Sequence, residues 1–541
     1  MNSKFSPKTY VCSAANSSSS GVSELTCVEI KSPVAQSTFV EISNDPSGAE
    51  FITNFVKEDV IIQNDLGNTG VPANPIMAIG PTMAIAMTNS VIGFFDRFSS
   101  PPMNRTVVGL TADFLPFDIA GGIDVQVIYD EFSSRFFILC WRLTVSFIST
   151  SSSPILKNYM NIAVSQNSSP TSFDDWYKYQ LTTTYWNTNS LQADDPKITV
   201  DETNFYISTN DFGGSTYVNA TVTVLKKNDL LNNTAPTFID ENSSTFVSQK
   251  SIRDFWIAQP ARIVYSGYKK RLPQFFLSMT DYGVGPFYAR DLDSVSGIRV
   301  FIGSSMTRYV DVPFPVPTQI DVGAVAQQPL GITATVFGLA TGQFAISTAV
   351  IYKTSLFAAH TILNGTKSII RWYEFDVSRA ARYNEVCIKQ WGDIDTCEPN
   401  ESCFYPAINV DDCGNMAIAF TISGPNTLPT FAYTGRLKND PYGTVRNPYQ
   451  IIKESLYPYN GARLIRLFPT SSFRLNLWED YKSLVVDPND HKTFYAFGQY
   501  ASSSLLLDGR SNRWTTAMAS FNIEESYDEQ STEPGLQTCS L

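Results

Sequence analysis

One pattern of apolar and polar positions occurs four times along the chain, and each copy predicts a β-hairpin. An apolar run ends on an aspartate, a short polar turn follows, and a second apolar run returns. Aspartate suits this position because its side chain accepts hydrogen bonds from the backbone of the turn. The four residues are Asp130, Asp201, Asp411 and Asp487. One hairpin repeated over several hundred residues predicts a radially repeated β architecture, in which these aspartates lie at equivalent turns of different units.

The fold class predicted from these repeats is all-β, with a single β-propeller. Aromatic residues make up 13% of the sequence, which favours strands, and no long stretch has helical periodicity. The repeats extend over residues 74–523, which at about 40 to 65 residues per blade gives six to eight blades, with seven favoured. Residues 1–73 are interpreted as an N-terminal extension, and residues 524–541 as a short acidic, disordered tail.

Charge and hydropathy argue against two classes of partner. The net charge of −12, without any long Lys/Arg cluster, argues against nucleic acid. The uncharged residues 322–352 are interrupted by Gln, Pro and Gly, so we interpret them as buried strands and predict no transmembrane segment. Residues 1–22 contain no apolar stretch typical of a secretion signal, and the route of export therefore stays open.

Four of the eight cysteines fall close together, and this spacing suits local disulfides in an oxidising compartment. They are Cys387, Cys397, Cys403 and Cys413. The best candidate pair is Cys397 with Cys403, in a loop that a chain reversal can close. Free thiols are the second interpretation. A zinc site is the third and weakest, because the chain has only 2 His and no Cys-x-x-Cys motif.

One loop gathers several oxygen ligands and is a candidate calcium site. Its residues are Asp393, Asp395, Glu398 and Asn400. Carboxylates and amide oxygens are the ligands that Ca²⁺ prefers, but the EF-hand glycine is missing and exposed acids are the simpler interpretation. No other cofactor is indicated.

Several short motifs follow one another in a fixed order along the chain. They include Asp195-Pro196-Lys197, Phe404-Tyr405-Pro406-Ala407, Tyr433-Thr434-Gly435-Arg436, Trp478-Glu479-Asp480-Tyr481 and Arg513-Trp514. In this order they resemble a family of extracellular bacterial β-propeller proteins of sialidase-like architecture. The resemblance covers about residues 74–523 and implies the fold more than any activity. The chain departs from it in having Trp-Glu-Asp-Tyr where Trp-Gly-Asp-Tyr is usual, and in lacking the secretion signal.

A sialidase-type glycoside hydrolase would need three arginines around a carboxylate and a Tyr/Glu nucleophile pair on the propeller axis. The candidates are Arg371, Arg436, Arg513, Tyr373 and Glu374. Tyr373 and Glu374 are adjacent, and neighbouring residues of a regular strand point to opposite faces. We therefore expect these arginines to be structural, each lying over an aromatic ring or pairing with a carboxylate.

The function predicted from the sequence is non-catalytic binding or structural support at an extracellular or virion surface. A glycan or a protein would bind to one face of the propeller, whereas nucleic acid and membrane insertion are not expected. A sialidase-like glycoside hydrolase is the alternative. The oligomeric state is left open.

Overall fold

The repeated hairpins fold into a ring of seven blades, a β-propeller, which confirms the predicted fold class and blade number. Short helices Lys227–Leu231 and Ala380–Tyr383 and the 3₁₀ turn Phe173–Asp175 are the helical elements among the described residues. Within that part of the chain, no helix has the length and apolar character needed to cross a membrane. The computed structural model describes residues 9–15, 24–30, 40–41, 74–89, 91–98, 104–109, 123–146, 155–182, 192–213, 216–234, 258–264, 272–280, 294–304, 307–319, 325–329, 338–342, 345–395, 400–446, 449–459, 464–466, 474–476, 478–501, 514–523 and 538–539.

The strands follow one another around the ring in chain order. β1 (Thr9–Ala15) and β2 (Glu24–Ile30) precede the ring, and β3 (Val40–Glu41) belongs to its last blade. Blade 1 contains β4 (Ile76–Ile79), β5 (Met83–Thr88), β6 (Val91–Asp96) and β7 (Asn104–Gly109). Blade 2 contains β8 (Ile123–Asp130), β9 (Arg135–Ser146), β10 (Ile155–Ser165) and β11 (Trp176–Thr182). Blade 3 contains β12 (Gln192–Val200), β13 (Asn204–Gly213) and β14 (Thr216–Lys226).

The second half of the ring is less regular, because blades 4 and 5 are hydrogen-bonded into one sheet. Blade 4 contains β15 (Gln259–Pro260), β17 (Phe275–Thr280), β18 (Ser294–Ile302) and β19 (Tyr309–Gln319), and β16 (Arg262–Ile263) lies between β15 and β17 in the chain. Blade 5 contains β22 (Thr348–Tyr352), β23 (Ser355–Asn364), β24 (Lys367–Asp376) and β25 (Cys387–Ile394). Blade 6 contains β26 (Ser402–Val410), β27 (Met416–Gly424), β28 (Thr427–Arg436) and β29 (Gln450–Glu454). Blade 7 contains β32 (Ser483–Val486), β33 (Phe494–Ala501) and β34 (Trp514–Phe521). A small separate sheet contains β20 (Val325–Ala326), β21 (Leu339–Ala340), β30 (Leu464–Arg466) and β31 (Arg474–Asn476), and β35 (Thr538–Cys539) pairs with β2.

The hydrophobic core is divided among the interfaces between neighbouring blades. The described residues form seven buried clusters, one between each pair of adjacent blades, including the pair of blades 7 and 1. No blade has a core of its own. Each sheet is therefore stable only between two neighbours, as expected for a radially repeated architecture.

Alternate side chains of strand β5 point to opposite faces of its sheet, and each face packs against a different blade. Met83, Ile85 and Met87 face blade 2, whereas Ala84 and Ala86 face blade 7. All five side chains are buried. A strand buried on both faces is apolar throughout, which explains why simple apolar–polar alternation is weak in this sequence.

The four repeated aspartates occupy equivalent positions in different blades, as predicted. Each lies at the end of its blade's innermost strand, or directly after it, in blades 2, 3, 6 and 7. Each carboxylate accepts a backbone N–H bond from the turn that follows. The donors to Asp130, Asp201, Asp411 and Asp487 are Phe132, Thr203, Asn415 and Asn489, respectively.

An ion pair between Arg97 of blade 1 and Asp487 of blade 7 ties the two ends of the ring together. The Arg97 guanidinium donates to both oxygens of Asp487, one of them at 3.1 Å, and also to the carbonyl of Gly80 at 2.7 Å. The side chains of Arg97 and Asp487 are only 5% and 7% exposed. Strand β3, from the N-terminal region, adds a further closure by pairing with β34 of blade 7.

Two of the clustered cysteines do not form the local disulfides that the sequence suggested. Cys387 and Cys413 are free thiols, as is the buried Cys140. Cys387 begins a strand of blade 5 and Cys413 lies in a turn of blade 6, so they belong to different sheets. Cys397 lies outside the described residues, and its pairing with Cys403 stays a prediction. The predicted acidic tail also lies outside them, except for Thr538–Cys539.

Replacement of Arg97 by Met should destabilise the protein strongly, because it leaves the Asp487 carboxylate buried without its cation. We expect a loss of about 3–5 kcal/mol in the free energy of unfolding, measured by chemical denaturation. The control is Arg379→Met, which removes the exposed pair with Glu385 and should leave the melting temperature unchanged. Equal effects of the two substitutions would contradict the proposed role of the Arg97–Asp487 pair.

Candidate functional site

Four residues close to the propeller axis have a left-handed backbone conformation. Three of them lie within innermost strands, and the fourth lies two positions before the innermost strand of blade 1. Asn74, Asp124, Asp195 and Tyr405 have φ of 47°, 54°, 46° and 52°. In blades 2, 3 and 6 this residue lies in a break of the strand register, a β-bulge. Bulges redirect side chains, and Asn and Asp tolerate the left-handed conformation better than most residues.

An amide and two carboxylates from three blades meet at this end of the axis. The Asn74 amide nitrogen donates to Asp124 Oδ1 and to Asp480 Oδ2, both at 3.1 Å, and the amide oxygen of Asn74 accepts the Asp480 backbone N–H at 2.9 Å. Since one nitrogen reaches both carboxylates, these two oxygens are at most about 6 Å apart. Asn74 is completely buried. Blades 1, 2 and 7 are thus joined by one polar network.

Blade 3 contributes a cation and two further acids. Lys197 pairs with Asp195, and its ammonium lies 4.2 Å from the centre of the Tyr481 ring. The Tyr481 hydroxyl donates to the carbonyl of Val125 at 2.9 Å. We call Asp124, Asp194, Asp195 and Asp480 the axial acid cluster; Lys197 is the one cation that pairs with it among the described residues.

Burial and mutual repulsion raise the pKa values of Asp124, Asp194 and Asp480. Burial raises the pKa of Asp124 well above its ordinary value, and the negative charge of Asp194 adds to the rise. The pKa of Asp194 rises to about 7, because of burial and the charge of Asp195. That of Asp480 rises to about 6 for the same two reasons. The cluster therefore holds protonated carboxyl groups at mildly acidic pH, and these can donate as well as accept hydrogen bonds.

The residue that departs from the usual Trp-Gly-Asp-Tyr motif has its own buried cation. Glu479 pairs with Lys482, and both side chains are 0% exposed. Thr421 donates to Glu479 at 2.8 Å and accepts from Lys482 at 2.8 Å. Burial raises the pKa of Glu479 and lowers that of Lys482. This pair lies beside the axial acid cluster but leaves the cluster's own charge uncompensated.

The arginine candidates for a sialidase-type site have partners within the fold. Arg371 donates to both oxygens of Asp393, at 2.6 and 2.7 Å, and lies over the Trp391 ring. Arg436 donates to the backbone carbonyl of Thr444 at 3.1 Å and lies 5.7 Å from the centre of the Trp372 ring. Arg513 lies outside the described residues, so the convergence of all three arginines stays untested.

Tyr373 and Glu374 face different environments, as expected for neighbours on the strand β24. The Tyr373 hydroxyl lies 3.2 Å from the His360 ring nitrogen in the core between blades 4 and 5. The Glu374 carboxylate accepts from Ser355 and Lys389, each at 2.6 Å. Neither side chain contributes to the axial acid cluster.

Two of the four calcium candidates, Asp393 and Asp395, are engaged by cations. Asp393 pairs with Arg371, and Asp395 pairs with Lys367 at 2.5 Å. Glu398 lies outside the described residues. Within the described ranges, no group of three or more His, Cys, Asp or Glu residues is arranged to hold a metal ion.

The sequence patterns did not predict the axial acid cluster, although two of its four residues lie in motifs that resemble the propeller family. Asp195 and Asp480 belong to motifs that indicated only the fold, and Asp124 and Asp194 were not singled out. A signal was present: Asn74, Asp195 and Tyr405 are each followed by a proline at the start of an innermost strand. At Asp195 and Tyr405 this X-Pro step coincides with a β-bulge.

Comparisons with known proteins found solved structures that match at low identity. No family model matches the sequence, and no curated protein matches it. Solved structures that match include the Dos1 propeller, at 8% identity and a TM-score of 0.36, covering 84% of this chain and 93% of that one. An endo-arabinase from Bacteroides thetaiotaomicron matches at 8% identity and a TM-score of 0.28, over 74% and 94% of the two chains. A GH93 α-L-arabinofuranosidase from Fusarium graminearum matches at 8% identity and a TM-score of 0.29, over 62% and 95%. The resemblance to an extracellular sialidase-like family stays a prediction.

The axial acid cluster should make the protein less stable as the pH rises from 5 to 7. The pKa of Asp194 is 3.8 ordinarily and about 7 in the folded protein, so the folded state holds more protons than the unfolded chain between these values. The stabilisation is complete below the unfolded pKa and is lost as the pH approaches the folded one. Each such group contributes a slope of at most about 1.4 kcal/mol per pH unit.

The measurement is the free energy of unfolding of wild type and of Asp194→Asn/Asp480→Asn at pH 5, 6 and 7. The double variant should show a shallower dependence on pH than wild type. Asp311→Asn, which changes an exposed acid of blade 4, is the matched control and should keep the wild-type slope. Identical slopes for all three proteins would contradict the raised pKa values.

Proposed function

We propose that this protein binds carbohydrate at the axial acid cluster without hydrolysing it. The observation that carries the proposal is the convergence of Asn74, Asp124 and Asp480 from three blades in one hydrogen-bonded group. Axial positions are formed by all blades at once, so a ligand bound there is contacted by several rigid elements.

The chemistry of the cluster suits the hydroxyl groups of a sugar. Ionised carboxylates accept hydrogen bonds, while protonated carboxyl groups also donate them. A sugar hydroxyl needs both kinds of partner. The raised pKa values of Asp194 and Asp480 supply both within one site at mildly acidic pH. The cluster's negative charge also favours a neutral glycan over an acidic one.

An extracellular or virion-surface location, as inferred from the sequence, is consistent with a glycan ligand and belongs to the same proposal. A protein ligand on this face is the other binding partner predicted from the sequence. The glycan has priority because its hydroxyl groups match a small polar group of carboxyls, whereas protein interfaces are anchored by larger apolar and aromatic contacts.

Glycoside hydrolysis by the same cluster is the second candidate function. Asp124 and Asp480 present carboxylate oxygens within about 6 Å of each other, a separation compatible with the pair of acids in a retaining glycosidase. A pKa near 6 or 7 also suits a general acid. The sialidase-type variant has less support, because Arg371 is engaged by Asp393.

The test is binding of a library of neutral and acidic oligosaccharides to wild type and to Asp124→Asn/Asp480→Asn. We expect at least one neutral oligosaccharide to bind wild type and to bind the double variant about tenfold more weakly or worse, because charge-assisted hydrogen bonds are lost. Asp311→Asn is again the control and should bind normally.

Release of reducing ends from the bound oligosaccharide separates the two candidates. No release by wild type is expected for a binding protein, whereas release that disappears in the double variant would identify a hydrolase. Failure of every oligosaccharide to bind wild type, or unchanged binding by the double variant, would reject the site.

A further inference from the structure

The opposite end of the axis contains a cavity of about 100 Å³, formed where the innermost strands finish. Its walls are mainly apolar and come from several blades. They include Ile79, Ile128, Val200, Ile263 and Val486. The acid cluster lies where these strands begin, so the two sites are separated by the length of the inner strands.

One cation, Arg262, lines this cavity. It lies on β16, which pairs in parallel with β22 of blade 5 and so occupies the junction of blades 4 and 5. Within the described residues, its guanidinium has neither an ion-pair nor a hydrogen-bond partner. Three other cations near the axis, among the described residues, are paired: Arg97 with Asp487, Lys197 with Asp195, and Lys227 with Asp130.

The two acids that line the same cavity do not neutralise Arg262. Asp130 is occupied by Lys227, at 2.9 Å, and by the turn that follows it. Glu131 lies 3.6 Å from the His491 ring nitrogen, and burial raises the pKa of Glu131 to about 8. At neutral pH this carboxyl group is therefore largely protonated.

Arg262 nevertheless stays charged. Burial lowers its pKa to about 10, which is still well above neutral. A guanidinium has five N–H donors, and its isolation from counter-charge in an apolar site is unfavourable. An anion that entered the cavity would provide the missing charge and would accept two parallel hydrogen bonds.

We propose that this cavity binds a small aliphatic monocarboxylate, with its carboxylate on Arg262 and its hydrocarbon part against the Ile and Val side chains. A single negative charge is specified because Arg262 is the one cation among the described residues that line the cavity and the other walls are mainly apolar, so the second charge of an anion such as phosphate would be buried without a counter-charge. The size follows from the volume, since an engineered cavity of about 150 Å³ holds one benzene molecule. A chain of about four carbons therefore fits.

The experiment titrates sodium butyrate and, separately, inorganic phosphate into the full-length protein at pH 7 by calorimetry. Wild type should bind butyrate more tightly than phosphate. Arg262→Met should bind butyrate at least about tenfold more weakly, because the paired hydrogen bonds are lost. Arg262→Lys keeps the positive charge but cannot donate two parallel hydrogen bonds, so its affinity for butyrate should lie between those of wild type and Arg262→Met. Arg379→Met, at an exposed pair, is the control.

The melting temperatures without butyrate provide a second, independent readout. Replacement of an unpaired cation by an apolar side chain of similar length should leave the melting temperature of Arg262→Met equal to or above that of wild type. Butyrate should then raise the melting temperature of wild type only. Absence of butyrate binding to wild type, equal binding by Arg262→Met, or tighter binding of phosphate would each overturn the proposal. None of these results depends on whether glycans bind the axial acid cluster.

Discussion

The structure depends on one constraint: every blade buries both of its faces against neighbours and has no core of its own. The seven hydrophobic clusters between blades are therefore stable only if the ring is closed. Closure joins the two ends of the repeat region, which are distant in sequence. The buried Arg97–Asp487 pair joins blades 1 and 7 at this junction, and β3, which precedes blade 1 in the chain, adds to the closure by pairing with β34 of blade 7.

The same constraint brings polar groups to the axis. Seven inner strands converge there, and their first and last residues cannot all be covered by apolar side chains from a neighbouring blade. At one end, Asp124 and Asp195 lie in β-bulges, and Asn74 shares their left-handed backbone conformation. At the other end, the cavity is lined by apolar side chains, by Arg262 and by the acids Asp130 and Glu131. Because Asp130 is paired with Lys227 and Glu131 is largely protonated, the two ends of the axis have opposite electrostatic character.

This opposition determines which ligands each end favours. The axial acid cluster carries several carboxyl groups with raised pKa values and one paired lysine, which suits neutral, hydroxyl-rich ligands. The Arg262 cavity carries an uncompensated positive charge between apolar walls, which suits a small anion with a hydrocarbon part. The negative charge of the axial acid cluster would repel the monocarboxylate, whereas a neutral oligosaccharide is too large for the Arg262 cavity of about 100 Å³.

The sequence by itself determined the local structure. Each aspartate that ends an apolar run is sufficient to predict a hairpin. The backbone N–H groups that it binds in the turn belong to residues two to four positions away. Repetition of that unit then predicted the propeller and the number of blades. The opposite faces of Tyr373 and Glu374 also followed from strand geometry alone.

Only the tertiary structure decided which distant residues meet. Asn74 and Asp480 are 406 positions apart, and nothing in either local sequence indicates the other. The pKa values of the cluster follow from this meeting, because burial and repulsion between blades produce them. In the same way, Arg371 was a plausible ligand-binding residue in the sequence, and its pairing with Asp393 appears only when β24 and β25 are aligned. The hydrogen bonds of a hairpin turn are local and can be predicted from sequence. The contacts between blades at the axis form only when the ring is closed.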